Sequence, residues 1–327
     1  MFGERARIGS AWCRERLTGR EQPARRLDAG GDSGFNPVLD LPRTITMTAL
    51  KVVGFASGSP QSEAAMRRVA RDHRLLAIVV PRRRRDFRDS VRRLLRGSDN
   101  PFRGVDAPLV DLAAAAKFRP DVFVVASFPK IISAEILSTA RLGAVNMHMS
   151  LLPRHRGPDP LFWTYWQDDR DAGMTIHWMN GRIDAGDIVL QQAMPLVRGM
   201  PSQLTYMRLT ALGVDLLTNA LARLDTGSAP RTPQDEALAT YESAADVAAA
   251  RVPLAAWPAE RVWHVLSGLS DQFTGLVVDP ETGKPLQHGR ALGYRLTDRC
   301  EPGRVTATDA GYELHCRDGI VAVARRG

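Results

Sequence analysis

From Lys51 onward the chain alternates short apolar runs with stretches of helical spacing. Lys51–Ala56 and Leu75–Val80 are apolar runs of strand length, and Glu63–Arg74 between them has the spacing of a helix. Asp121–Ala126 is apolar almost without interruption, the mark of a strand covered on both faces. Residues 111–118 and Ile131–Thr139 read as helices, and Gly143–His148 reads as the next strand. Strands alternating with helices predict an α/β fold built on a parallel sheet with right-handed crossovers. Beyond it the pattern predicts strands over Met174–Met179 and Ile188–Leu196 and a long helix over Pro201–Asp225. Residues 229–250 carry Pro230 and Pro233 and read as a linker. Ala259–Leu269 has helical spacing; the short runs after it are broken by turn dipeptides, as in a small β-barrel.

Residues 1–46 show no hydrophobic periodicity and too little apolar material to order themselves, which predicts a disordered extension. The expected organisation is therefore an α/β unit over 47–228, a linker over 229–250 and a C-terminal unit over 251–327. With 327 residues the chain has room for both. No apolar run reaches the roughly 18 residues of a membrane span. The N-terminus lacks the apolar core of a secretory signal, so the expected compartment is the cytoplasm and no membrane partner is expected. Cys13, Cys300 and Cys316 form no metal-binding or disulfide pattern, and no metal is expected.

Charge changes the picture in one place. Arg67–Arg103 holds thirteen arginines against four aspartates, a local excess of nine, while the whole chain carries +8. Only four lysines occur, so the basic character is arginine. Base composition of a genome would spread arginines evenly; this cluster marks a candidate surface for phosphates.

Candidate chemistry gathers between Gly143 and Asp187. Asn146 and His148 are two apart on a strand, so both point to one face, near the strand's carboxyl end where open sheets hold ligands. Met147 and Met149 face the core. Asp184 lies in a turn with Gly181 and Gly186, where it either closes the turn or reaches the same crevice; Asp187 reads as the turn-closing residue. Together they offer an amide donor, an imidazole and a carboxylate. His177 reads as a pocket-lining or core residue, His155 as part of a charged loop, and Phe162, Trp163, Tyr165 and Trp166 as an apolar helix face. Ser57–Gln61 is not a dinucleotide fingerprint and no phosphate-binding P-loop exists, which argues against nicotinamide and nucleotide-hydrolase chemistry.

In that order, Asn146-x-His148, Ser150-Leu-Leu-Pro153, Arg156-Gly157 and Asp184-x-Gly-Asp187 resemble the 10-formyltetrahydrofolate-dependent formyltransferases, and among them the enzymes that act on methionyl-tRNA. The linker sequence Thr232-Pro-Gln-Asp-Glu with Thr240-Tyr241 and the ending around Cys316–Ile320 are similar too. The resemblance implies a Rossmann-like catalytic domain followed by a small open, OB-like β-barrel. It implies Asn146, His148 and Asp184 as the catalytic trio, with Asn146 and a protonated His148 stabilising the oxyanion and Asp184 holding the imidazolium and accepting the amine proton, directly or through water. For 10-formyltetrahydrofolate it implies a site made by Ser150, Leu151, Leu152 and Pro153, with Phe128 and Ile132 lining the pteridine pocket. The Arg82–Arg96 region is then the candidate grip on a tRNA acceptor stem.

Departures from the family pattern bear on the acceptor. Residues 251–327 hold ten basic against nine acidic side chains, where a tRNA-binding unit is expected to be basic. Gly157-Pro-Asp-Pro160 and Thr175-Ile-His-Trp-Met179 look more like formyltransferases acting on amino-sugar nucleotides or other small amines. A silent RNA-binding relative and a hydrolase releasing formate from the same folate are the remaining alternatives.

Overall fold

A computed structural model describes residues 49–81, 109–110 and 112–326. The expected extension over 1–46 and the arginine run over 82–96 lie outside the described residues. The described residues all belong to one compact unit, Thr46–Gly327.

Strands β1 (Lys51–Ala56), β2 (Arg74–Val79), β3 (Leu109–Val110), β4 (Val122–Ala126), β5 (Gly143–His148), β6 (Asp171–Trp178) and β7 (Ile188–Pro195) form one sheet in the order β3-β2-β1-β4-β5-β6-β7. Every β4 residue is buried, as its unbroken apolar run requires. Helix α1 (Pro60–Asp72) starts at Ser59, whose side chain accepts from Ser62 N–H, with Pro60 in the first turn. A 3-10 helix (Leu112–Phe118) and the short α2 (Ala134–Leu137) fill the crossovers.

The sheet is only partly parallel. β3, β2, β1, β4 and β5 run parallel, but β5–β6 and β6–β7 pair antiparallel. A single short turn over 179–187 joins β6 to β7, too short for a crossover to a parallel neighbour. The chain between β5 and β6 carries only α3 (Pro160–Trp166) and returns along the same edge. Apolar periodicity marks strands without marking their direction, so the sequence could not separate the two cases. The long α4 (Ser202–Asp225) then packs against α1 and β6.

The expected linker is structured. Thr232 pairs with Ile188 and Tyr241 with Arg156 as isolated bridges. Helix α5 (Ala244–Ala249) is capped by a reciprocal Ser243–Asp246 box. Helix α6 (Ala259–Leu269) then leads into a second sheet of β8 (His288–Leu296), β9 (Val305–Thr308), β10 (Gly311–His315) and β11 (Gly319–Arg325). Its order is β8-β11-β10-β9, antiparallel throughout. The outer strands β8 and β9 do not pair with each other, so the four strands form an open sheet under α6. Turn residues over 271–287 leave only the bridge Val278–Pro285 there. One apolar cluster runs from Val52 and Val124 of the first sheet through Val265 of α6 to Leu314 and Val321 of the second. Among the described residues no helix is long and apolar enough to cross a membrane.

Candidate active site

The site forms where β5 ends. Asn146, Met147, His148 and Met149 all border a cavity of about 730 Å³, and His148 is buried along with the two methionines. The antiparallel register sets His177 of β6 directly opposite Asn146. The β6–β7 turn brings Asp184 in from the side, with its backbone in the left-handed region at φ 47°.

Each imidazole has a tautomer fixed by a backbone carbonyl. His148 Nε2 lies 2.8 Å from the His155 carbonyl oxygen, which only accepts, so Nε2 carries the proton. Nδ1 of His148 therefore faces the site, 3.7 Å from Asp184 Oδ2. In the same way His177 Nδ1 donates to the Trp178 carbonyl oxygen at 2.8 Å, leaving Nε2 as an acceptor. Asn146 Nδ2 donates to it at 3.1 Å and to Asp184 Oδ1 at 3.2 Å. The reversed amide would set its oxygen against the carboxylate, so this orientation is the one the charges select. Gly157 N–H completes the shell around Asp184 Oδ2 at 2.9 Å.

These contacts decide the charges. Burial pushes the His148 imidazole below its ordinary range, and nearby Asp184 only partly opposes it. This shift favours the neutral imidazole before a proton is transferred to it. Burial also works to raise the Asp184 carboxyl. The charge that His148 takes up at low pH and the Gly157 amide outweigh it and hold Asp184 well below the usual carboxylate range. The trio therefore rests as neutral imidazole, carboxylate and an amide whose two protons are both engaged.

Phe128 and Ile132 line the same cavity, as do Met179 and Asn180 of the β6–β7 turn. Ser150, Leu151, Leu152 and Pro153 do not line it. Ser150 Oγ donates to the Arg154 carbonyl oxygen at 2.7 Å, and the Leu152 carbonyl oxygen accepts from Gln191 at 2.8 Å. Leu151 instead borders a separate cavity of about 290 Å³. This loop turns the chain so that the His155 carbonyl meets His148. His155 itself is buried, with Nε2 2.9 Å from Asp169 and Nδ1 3.4 Å from Glu242. The Asp187 carbonyl oxygen accepts from Trp178 N–H at 2.8 Å across the turn. Phe162, Trp163 and Tyr165 are core residues, and Phe162 also reaches the cavity. His177 is buried and lines the cavity, as its reading as a pocket-lining or core residue expects. Its position opposite Asn146 follows from strand direction, which the sequence does not carry.

An amide donor, a neutral imidazole and a buried carboxylate around one open-sheet crevice define an α/β protein equipped for transfer chemistry at a carbonyl carbon. The family model described as formyl transferase matches residues 105–221. Methionyl-tRNA formyltransferase of Anaeromyxobacter dehalogenans (strain 2CP-C) is 40% identical over 222 residues, 66% of this chain and 69% of the relative. That of Syntrophus aciditrophicus (strain SB) is 33% identical over 213 residues, 63% of this chain and 66% of the relative. The chain belongs to the formyl transferase family. It spans about two thirds of the length of these relatives, 66% and 69%. The crystal structure of the N-formyltransferase from Helicobacter canadensis, in complex with folinic acid and dTDP-3-aminofucose, shares the fold. Its TM-score is 0.64 at 14% identity, covering 85% of this chain and 100% of that one.

Proposed function

We propose that this protein transfers a formyl group from 10-formyltetrahydrofolate to a primary amine, and that the amine is the α-amino group of methionyl-tRNA. The observation that carries the reading is the meeting of Asn146, His148 and Asp184 around one cavity, with Nδ1 of a neutral His148 facing it. The cavity volume suits a folate-sized ligand, and Phe128 and Ile132 offer apolar walls to a flat heterocycle.

In this reading His148 Nδ1 accepts a proton from the nitrogen that has attacked the formyl carbon. It returns that proton to the folate nitrogen as the old C–N bond breaks, so no net proton is consumed. Asp184 stabilises the imidazolium between the two transfers. Asn146 supplies a donor to the oxygen of the tetrahedral intermediate, which requires one of its two amide protons to leave His177 or Asp184. The Ser150–Pro153 loop serves the folate site indirectly, by fixing His155 and through it His148. We further assign residues 47–228 to catalysis and 251–327, as an OB-like unit, to acceptor contact together with Arg82–Arg96. A reaction that uses charged tRNA puts the protein in the cytoplasm.

Methionyl-tRNA is preferred because both relatives described above carry that name. The test is a formyl-transfer assay with 10-formyltetrahydrofolate against methionyl-tRNA, an amino-sugar nucleotide and a panel of small amines, at two salt concentrations. Transfer to methionyl-tRNA with steep salt dependence is the expected result. Preference for a small amine, indifferent to salt, overturns the acceptor assignment. Formate release that no acceptor accelerates overturns transfer itself.

A further inference from the structure

The Thr232-Pro-Gln-Asp-Glu and Thr240-Tyr241 stretch reads as linker and takes no part in the chemistry above. In the fold it clasps the turn that carries Asp184 and the loop that follows β5, the strand carrying Asn146 and His148. Gln234 Nε2 donates to the Asp184 carbonyl oxygen at 2.8 Å and to the Gly186 carbonyl oxygen at 2.7 Å. Its Oε1 accepts from Arg156 Nε at 3.1 Å and Nη2 at 2.8 Å. One carboxamide thus ties the turn bearing Asp184 to the loop that follows β5.

Arg156 is only 6% exposed, and its guanidinium is balanced by Glu236 at 3.0 and 3.1 Å. Its backbone N–H donates to the Thr240 carbonyl oxygen at 3.0 Å, and its carbonyl oxygen accepts from Glu242 N–H at 3.2 Å. The residues either side of it do the direct holding: the His155 carbonyl orients His148, and Gly157 N–H binds Asp184. His155 N–H is in turn fixed on Thr240 Oγ1 at 2.8 Å. Gly157 has φ 103°, and a Cβ there would lie 2.5 Å from the Glu242 carbonyl oxygen, so the linker backbone runs hard against the site. Asp184 keeps a left-handed backbone that a non-glycine residue disfavours. Gln234 holds that turn from both sides of Asp184's own neighbour.

We propose that Gln234 and Arg156 are positioning residues for Asp184 and His148, which makes the linker part of the catalytic centre. The proposal rests on the formyl-transfer reading for its kinetics alone; a titration of His148 tests it without any acceptor. Gln234→Glu keeps oxygens for Arg156 but removes both donors to the 184 and 186 carbonyls. Gln234→Met removes all four bonds at similar length and guards against the first variant failing to fold. His148 is followed in the full chain by NMR of labelled imidazole as pH is varied. Asp184, His177 and His155 are the titratable groups that face this ring.

Asp184 and, less strongly, the His155 carbonyl raise the His148 midpoint, so withdrawal of either shifts it down; Gln234→Met, which adds no charge, reads this shift directly. The same variants lose about 10- to 100-fold in kcat with 10-formyltetrahydrofolate and methionyl-tRNA, while both KM values hold, as expected for misplacement on the ångström scale. A folded variant with a wild-type His148 midpoint overturns the proposal. A wild-type chain that transfers no formyl group sinks the functional reading instead, and leaves the titration to decide the positioning role.

Discussion

Replacing Asp184 by Asn tests the electrostatics of the site with little change of shape. Asparagine tolerates the left-handed backbone that position 184 adopts, and its oxygen can still accept from Gly157 N–H. What it lacks is charge. Asp184 Oδ2 lies 3.7 Å from His148 Nδ1, and both side chains are largely buried. With an effective dielectric near 20, a unit charge at that distance stabilises the imidazolium by about 4 kcal/mol, equivalent to ~10³ in rate. The asparagine dipole recovers part of it, so kcat should fall by about 10² to 10³. Steady-state formyl transfer measures the loss, and thermal unfolding confirms that the fold survives. The pH profile supplies a second, signed readout. His148 must be neutral to accept a proton, and burial lowers its midpoint below the ordinary imidazole range. The acid limb that His148 contributes to wild-type activity therefore lies at lower pH than a free imidazole would set. Asp184 opposes the lowering, so its removal moves the acid limb to still lower pH. An Asp184→Asn enzyme of near wild-type kcat with an unmoved acid limb would refute the role given to this carboxylate.

Three other outcomes follow from the same structure. His148→Ala should retain the fold yet lose most turnover; near-normal formyl transfer by that variant rules out the proton relay. Burial and nearby Arg198 lower the His264 imidazole to about 4, and its Nδ1 accepts from Gly199 N–H at 3.0 Å. The folded state therefore favours neutral His264: its contribution is present above pH 6.5 and is lost as pH falls toward 4, about 3 kcal/mol in all. Urea titrations at pH 7 and 4.5 measure this, and His264→Asn, which keeps an acceptor without the titration, should flatten the difference; an equally steep loss in the variant contradicts the assignment. Gly268→Ala places a Cβ 2.2 Å from the buried Tyr165 ring, whose hydroxyl is fixed by the Met200 carbonyl oxygen and Thr205. Its cost should be about 1–3 kcal/mol by thermal or urea unfolding, and an unchanged midpoint would mean that α6 and α3 pack less tightly than described.

Most element positions in the described region were legible because each carries its own pattern. The unbroken apolar run of β4, the helical spacing of α4 and α6 and the turn-broken strands after Leu269 all lie within a few residues of their sequence positions. Phe128 and Ile132, expected from the family resemblance and from no local pattern, border the cavity. The Ser150–Pro153 loop illustrates the opposite case. Its motif identifies the family, but its side chains turn away from the cavity, because its backbone is spent on Arg154, Thr175 and Gln191. A motif records that residues are needed without recording whether they touch a ligand or hold something that does.

What the sequence determined by itself was local: strand and helix periodicity, the shared face of Asn146 and His148, and the residue types for chemistry at a carbonyl carbon. Those follow from the two-residue repeat of a strand and from side-chain chemistry, which need no partner. What only the tertiary structure decided was relational. The antiparallel return of β6 set His177 against Asn146, the His155 carbonyl fixed which His148 nitrogen faces the cavity, and burial left that imidazole neutral. The linker's grip on Asp184 through Gln234 spans fifty residues of chain. Such terms arise between segments far apart in sequence, where no periodicity or local motif reports them.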